Sequence, residues 1–197
     1  MDEFLTHPHP ELGRAGDVCP FMAKALNKDL AEFFAFDARE GDEAMIALLR
    51  ESRAWLQQRA KAEGQLWMHL TAIVVPYGLP DPELVDMVER VHAVLKPEFV
   101  ELGLMLGEFW PGHDVGGLHN QDFRPLDSPL PMVAIRHMVL TDLAFLGGPH
   151  VDPALQLDFL RQFRRIFDGQ LSGTWSHKLD AAERAAQDAM ATVAVEV

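Results

Sequence analysis

The run from Leu66 to Pro76 constrains this chain more than any other stretch. It is long, apolar and rich in β-branched residues, and it reads as a strand buried within a sheet. Its neighbours follow from the flanking segments. Leu30–Asp37 holds Phe33, Phe34 and Phe36 and reads as a short strand. Asp42 then serves as a helix N-cap, with Met45, Leu48, Leu49, Ser52 and Leu56 recurring at helical spacing before Gly64. Asp81-Pro82 opens a second helix, since a capping side chain followed by a first-turn proline suits a helix start. Leu84, Val88, Val91 and Leu95 line one face of it, and Pro97 marks its end. Leu104–Trp110 and Met132–Asp142 read as further strands. Asp152-Pro153 repeats the helix start, with Phe159, Leu160, Phe163, Ile166 and Phe167 as the buried stripe and Gly169 as the stop.

The order β-α-β-α-β-β-α predicts an α+β fold. Its small mixed sheet carries helices mainly on one face, because a strand–helix–strand crossover of this length joins parallel strands. An irregular proline-rich arm, residues 1–29, precedes a core at 30–168. A helical tail, 169–197, follows, alanine-rich from Asp180. A chain of 197 residues is within the size of one domain, and it can bury a core without disulfides or metal staples.

Charge narrows the function classes. With 17 basic and 30 acidic residues, the net charge is −13. Such a chain is repelled by phosphate backbones, so nucleic acid is not an expected partner. The local cluster Arg161, Arg164 and Arg165 reads as the exposed face of a helix. No apolar run approaches the ~20 residues that span a bilayer. Cys19 is the single cysteine, so no internal disulfide can form, and a reducing cytoplasm is the expected location. The expected partner is a small-molecule substrate, and a homodimer is an assembly the sequence allows.

Residues 111–131 show no periodic pattern, and patternless loops of that length in compact domains are usually functional or disordered. This one collects His113, Asp114, His119, Asn120, Asp122 and Arg124. His113, His119 and Asp114 have the donor types of an iron-binding facial triad, though at no established spacing. His119 alone suits an axial ligand or a proton-transfer group. On the strand Met132–Asp142, His137 shares a face with Val133, Ile135 and Val139, while Arg136 points the other way. His137 is then either paired to a backbone carbonyl or aimed into a pocket. His69, alternating with Trp67, Thr71 and Ile73, reads as a buried strand residue. His92 reads as a core-edge side chain, and His150 and His177 as exposed at element ends. Cys19, before Pro20, is either a small buried hydrophobe or a thiolate ligand. No nucleophile elbow, phosphate loop, dinucleotide fingerprint or paired-cysteine zinc pattern occurs.

Several of these segments carry a resemblance. His9-Pro10 through Cys19-Pro20-Phe21 form a short block. A longer one runs from Gly107-Glu108-Phe109 through Gly117-Leu118-His119-Asn120, Phe123-Arg124-Pro125-Leu126 and Ser128-Pro129 to Ile135-Arg136-His137-Met138. Together they resemble an uncharacterised actinobacterial family found near biosynthetic gene sets. The order of parts is more remotely similar to the YqcI/YcgG-type family, some of whose members are haem-dependent enzymes that oxidise guanidine-type nitrogen. Where that family has His-Pro in its late turn, this chain has Trp110-Pro111.

The resemblance implies a haem-dependent oxidative enzyme of secondary metabolism acting on a nitrogen-containing small molecule. His119 would be the iron ligand, with His137 second and Cys19 third. Arg124 or Arg136 would hold a carboxylate, and Phe21, Phe109, Trp110 and Asn120 would line the cofactor. Read without haem, His119 or His137 would be a general base in a lyase, isomerase or transferase, with Arg136 orienting an anionic substrate. A third reading is a non-catalytic partner in a biosynthetic pathway.

Overall fold

The structure is a computed structural model that describes residues 5–147 and 151–195. It is an α+β fold around one open mixed sheet of four strands in the order β1-β2-β4-β3. The strands are β1, Ala31–Asp37; β2, Thr71–Tyr77; β3, Leu104–Phe109; and β4, Met132–His137. The helices are α1, Met22–Asn27; α2, Asp42–Ala60; α3, Asp81–Glu101; α4, Pro153–Ile166; and α5, Gly173–Val195. The chain parts into two compact units. One comprises Met1–Lys96 with Met105–His137, and the other Pro97–Leu104 with Met138–Val197.

In the first unit β1 pairs parallel with β2, with Phe34 opposite Val74. This is the geometry a β-α-β crossover through α2 produces. β2 pairs antiparallel with β4, setting Thr71 opposite Arg136. The crossover through α3 does not give β2 a parallel neighbour in β3, because β4 takes the place between them. Ala72, Ile73 and Val74 are fully buried, as a central strand requires. Met45, Leu49, Ser52 and Leu56 form the buried stripe of α2, and Ser52 Oγ satisfies its polarity by donating to the Leu48 carbonyl.

Several expected boundaries move. The residues before Thr71 are not strand, since Gly64–His69 forms a 3₁₀ helix. This stretch lacks the β-branched residues that begin at Thr71, so nothing there favours a pleated backbone. The cap of α2 is Gly41, which leaves Asp42 to pair with Arg90. α3 does not stop at Pro97 but carries it inside and runs on to Glu101. β4 ends at His137, and Leu140–Phe145 coils into a 3₁₀ helix. Asp142 accepts from the Val139 N–H there at 2.8 Å, closing that turn.

In the second unit α4 buries Leu157, Phe159, Leu160 and Phe163. Asp152 caps it by accepting from the Ala154 and Leu155 N–H groups. The tail helix α5 starts at Gly173, well before Asp180. Arg164 of α4 binds Asp180 and Glu183 of α5 at 2.6 and 2.7 Å, so the arginine cluster is more than a solvated face. No helix among the described residues is long and apolar enough to cross a membrane.

Candidate functional site

The amino-terminal arm is folded back on itself. Pro8 bridges Asp17, and the Val18 and Cys19 N–H groups donate to the His7 and Leu5 carbonyls. Leu12 and Val18 are buried beneath the turn. This delivers Cys19, Phe21 and the start of α1 to one side of the sheet, where they meet Met68 and His69 of the 3₁₀ helix. Thr71 and Arg136, cross-strand partners on β2 and β4, complete the wall. These residues, with Met22 and Ala25, enclose a hollow of about 30 Å³, room for roughly one or two water molecules.

The hollow is chemically mixed. The guanidinium of Arg136 sits 5.0 Å from the Phe21 ring centre and donates to the His137 carbonyl at 3.0 Å. The His69 and Phe21 rings lie 5.8 Å apart. Nδ1 of His69 is buried and has no hydrogen-bond partner. Burial pushes the His69 pKa below its ordinary value, and the nearby Lys24 charge pushes the same way. A hydrogen bond with the Phe21 backbone only partly offsets them. The imidazole is therefore neutral at neutral pH, the form that accepts protons. Thr71 is occupied structurally, its hydroxyl donating to the Ile135 carbonyl at 3.0 Å.

Other nominated residues lie elsewhere. His119 is exposed on the loop, and its backbone and Cβ stand against Gly13 of the arm. Asn120 donates to the Glu11 carbonyl at 2.7 Å, and His9 meets Phe123 at 4.9 Å. The loop thus clasps the arm without turning an imidazole into the hollow. Arg124 is spent on the carbonyls of Gln121 and Phe123. Phe109 lies at the end of β3, beside Gly107. Trp110 stacks on His113 at 4.0 Å, and it is His113, 3% exposed, that is the loop's buried imidazole. Asp114 beside it is exposed.

His137 also faces a protein environment, its ring perpendicular to that of Trp67 with the ring centres 4.9 Å apart. Its Nε2 is buried without a partner, and burial alone lowers its pKa. His92 is held by the Leu106 carbonyl at 3.0 Å and by Glu108 at 3.1 Å, as a core-edge residue should be. His177 is exposed within α5, and His150 lies outside the described residues.

The residues that the resemblance assigns to haem are not gathered around this hollow, which with the arm closed is too small for such a group. Cofactor pockets measure about 300–1,000 Å³, an order of magnitude above the hollow. Of the residues assigned to the haem, Cys19, Phe21 and Arg136 line it, while His119, Asn120, Phe109, Trp110 and Arg124 do not. Among the described residues no group of three or more His, Cys, Asp or Glu side chains is placed to hold a metal ion. The imidazole that the hollow does contain is His69, which alternation marks as a buried strand residue and which lies instead at the end of a 3₁₀ helix. The available signal was the absence of β-branched residues between Gly64 and Leu70.

No match was found among curated proteins, nor among solved structures. Residues 1–176 match the model of the family described as "Domain of unknown function (DUF6875)", and the chain belongs to that family.

Proposed function

We propose that this chain is a cytoplasmic small-molecule enzyme whose centre is the arm-capped hollow, with His69 as general base and Arg136 holding an anionic group of the substrate. A guanidinium pairs with a carboxylate through two parallel hydrogen bonds, and a neutral imidazole within reach takes a proton near neutral pH. The reaction class is a proton abstraction of the lyase, isomerase or transferase kind. Nucleic acid is not a substrate, given the net charge of −13.

One observation carries this reading. The arm, the 3₁₀ helix and the β2–β4 pair bring an imidazole with a buried unpartnered nitrogen and a guanidinium to one enclosed space. The hollow is smaller than any carboxylic substrate of interest, so binding displaces the arm residues Cys19 and Phe21 from the wall they form.

The test is a thermal-shift screen with small carboxylates, keto acids and amino acids. A binder at about 100 times its Kd stabilises by ~2.7 kcal/mol, which raises Tm by about 5–10 °C for a chain of this size. Arg136→Ala is expected to lose that shift. His69→Gln is expected to keep it and lose turnover. A panel that neither moves Tm nor perturbs the His69 ring signals in NMR would rule the reading out.

A further inference from the structure

The first unit carries a second concave feature, unrelated to the hollow. β1 is the outer strand of the sheet, and among the described residues no strand pairs with its free side. Beside it runs a groove of about 390 Å³ floored by Ala35, Phe36 and Asp37 of β1. Its other wall is Ala44, Ala47, Leu48 and Glu51 of α2, with Glu40 and Tyr77 at the margins. The α2 residues recur at i, i+3, i+4 and i+7, so they form one stripe along the helix. That stripe is distinct from the buried one through Met45, Leu49, Ser52 and Leu56. Two alanines where a core-facing helix would carry large side chains leave the space open, and Leu48 presents apolar surface to it.

We propose that this groove docks an extended, basic segment of a partner protein, which adds to β1 as a further strand. Strand addition supplies backbone hydrogen bonds to alternate residues of the seven in β1, those whose N–H and C=O groups face away from β2, and alternate side chains of the guest fall into the groove. Small apolar guest residues fit over Ala44 and Ala47. Lysine or arginine reaches Glu40 and Glu51, both exposed. Asp37 contributes less, because Arg39 already neutralises it.

Charge also decides against a second copy of this chain as the guest. β1 carries Glu32 and Asp37 and no basic residue, so a second β1 offers neither acid a counter-charge. The net charge of −13 adds long-range repulsion between copies and attraction toward a basic guest.

The probe is an acetylated, amidated heptapeptide alternating lysine and valine, with a glutamate–valine counterpart as control, followed by amide chemical shifts on the full chain. The lysine peptide is expected to shift resonances within 31–37 and 44–51 and the control is not. Ala47→Phe fills the groove from an exposed helix position and is expected to weaken binding at least tenfold, with the helix content unchanged by circular dichroism. Glu40→Lys with Glu51→Lys is expected to weaken it and flatten its salt dependence. Equal binding of both peptides, binding of neither, or binding indifferent to Ala47→Phe overturns the proposal. Concentration-dependent dimerisation that shifts the same β1 amides also overturns it, in favour of self-pairing.

Discussion

Among the described histidines His113 is the most completely enclosed, and it is not fully satisfied. Its Nδ1 accepts from the Val115 N–H at 3.3 Å, while Nε2 is buried with no partner. Burial lowers its pKa; Glu108, Asp114 and Glu89 favour the proton, and His92 opposes it. His69 and His137 are shifted in the same direction. Between the lowered folded value and the ordinary 6.5, the unfolded chain binds more protons than the folded one. Stability is therefore complete above pH 6.5 and drains away as pH falls through that value. Calorimetry between about pH 8 and pH 5.5 is expected to show a falling Tm, each histidine adding at most ~1.4 kcal/mol per pH unit. His113→Phe is expected to remove part of that slope, while changing stability at high pH by less than about 1.5 kcal/mol. An undiminished slope in this variant would place the acid sensitivity elsewhere.

At the scale of elements, α3 shows how packing overrides a local signal. Pro97 denies the Ala93 carbonyl its helical donor, a cost of ~3 kcal/mol in a helix interior. Past it, Phe99 and Val100 are fully buried, and burying each contributes about 1.5–3 kcal/mol. The sum favours continuing the helix. Pro97→Ala is then expected to stabilise the chain by about 1–3 kcal/mol, read as a higher urea midpoint with an unchanged slope. The same competition explains which parts of the fold sequence could reveal. Helix starts at Asp81-Pro82 and Asp152-Pro153, the stripes behind them, and the parallel β1–β2 pair follow from local chemistry. Pro97, the coil after His137 and the 3₁₀ helix before Thr71 depend on contacts distant in sequence. At the candidate site Arg136 could be read, because strand alternation alone aims it opposite to His137. His119 could not, since its position is set by the arm it touches, and loop composition carries no direction.

Over the whole molecule the excess of acid over base dominates. Self-repulsion among exposed carboxylates opposes compactness and is screened by salt. Raising sodium chloride from about 20 to 300 mM is expected to raise Tm. The bridges from Arg164 to Asp180 and Glu183 pull the other way. They are partly exposed and stabilise by no more than about 1 kcal/mol. Arg164→Met is thus expected to lower Tm slightly and to steepen its rise with salt, because two carboxylates lose their counter-charge. A Tm that falls with salt in both proteins would show that attraction outweighs repulsion.

The clasp between arm and loop has a mechanical consequence. Gly13 has φ +75°, and a Cβ there would sit 2.9 Å from the Cβ and carbonyl oxygen of His119. Any side chain at that position collides with the loop backbone, and sliding the arm by one residue in either direction would press Leu12 or Arg14 into the same contact. The arm is keyed in place like a notched bolt. Uncovering the space behind Cys19 and Phe21 with this notch in place would require the Val18 and Cys19 N–H groups to leave the His7 and Leu5 carbonyls.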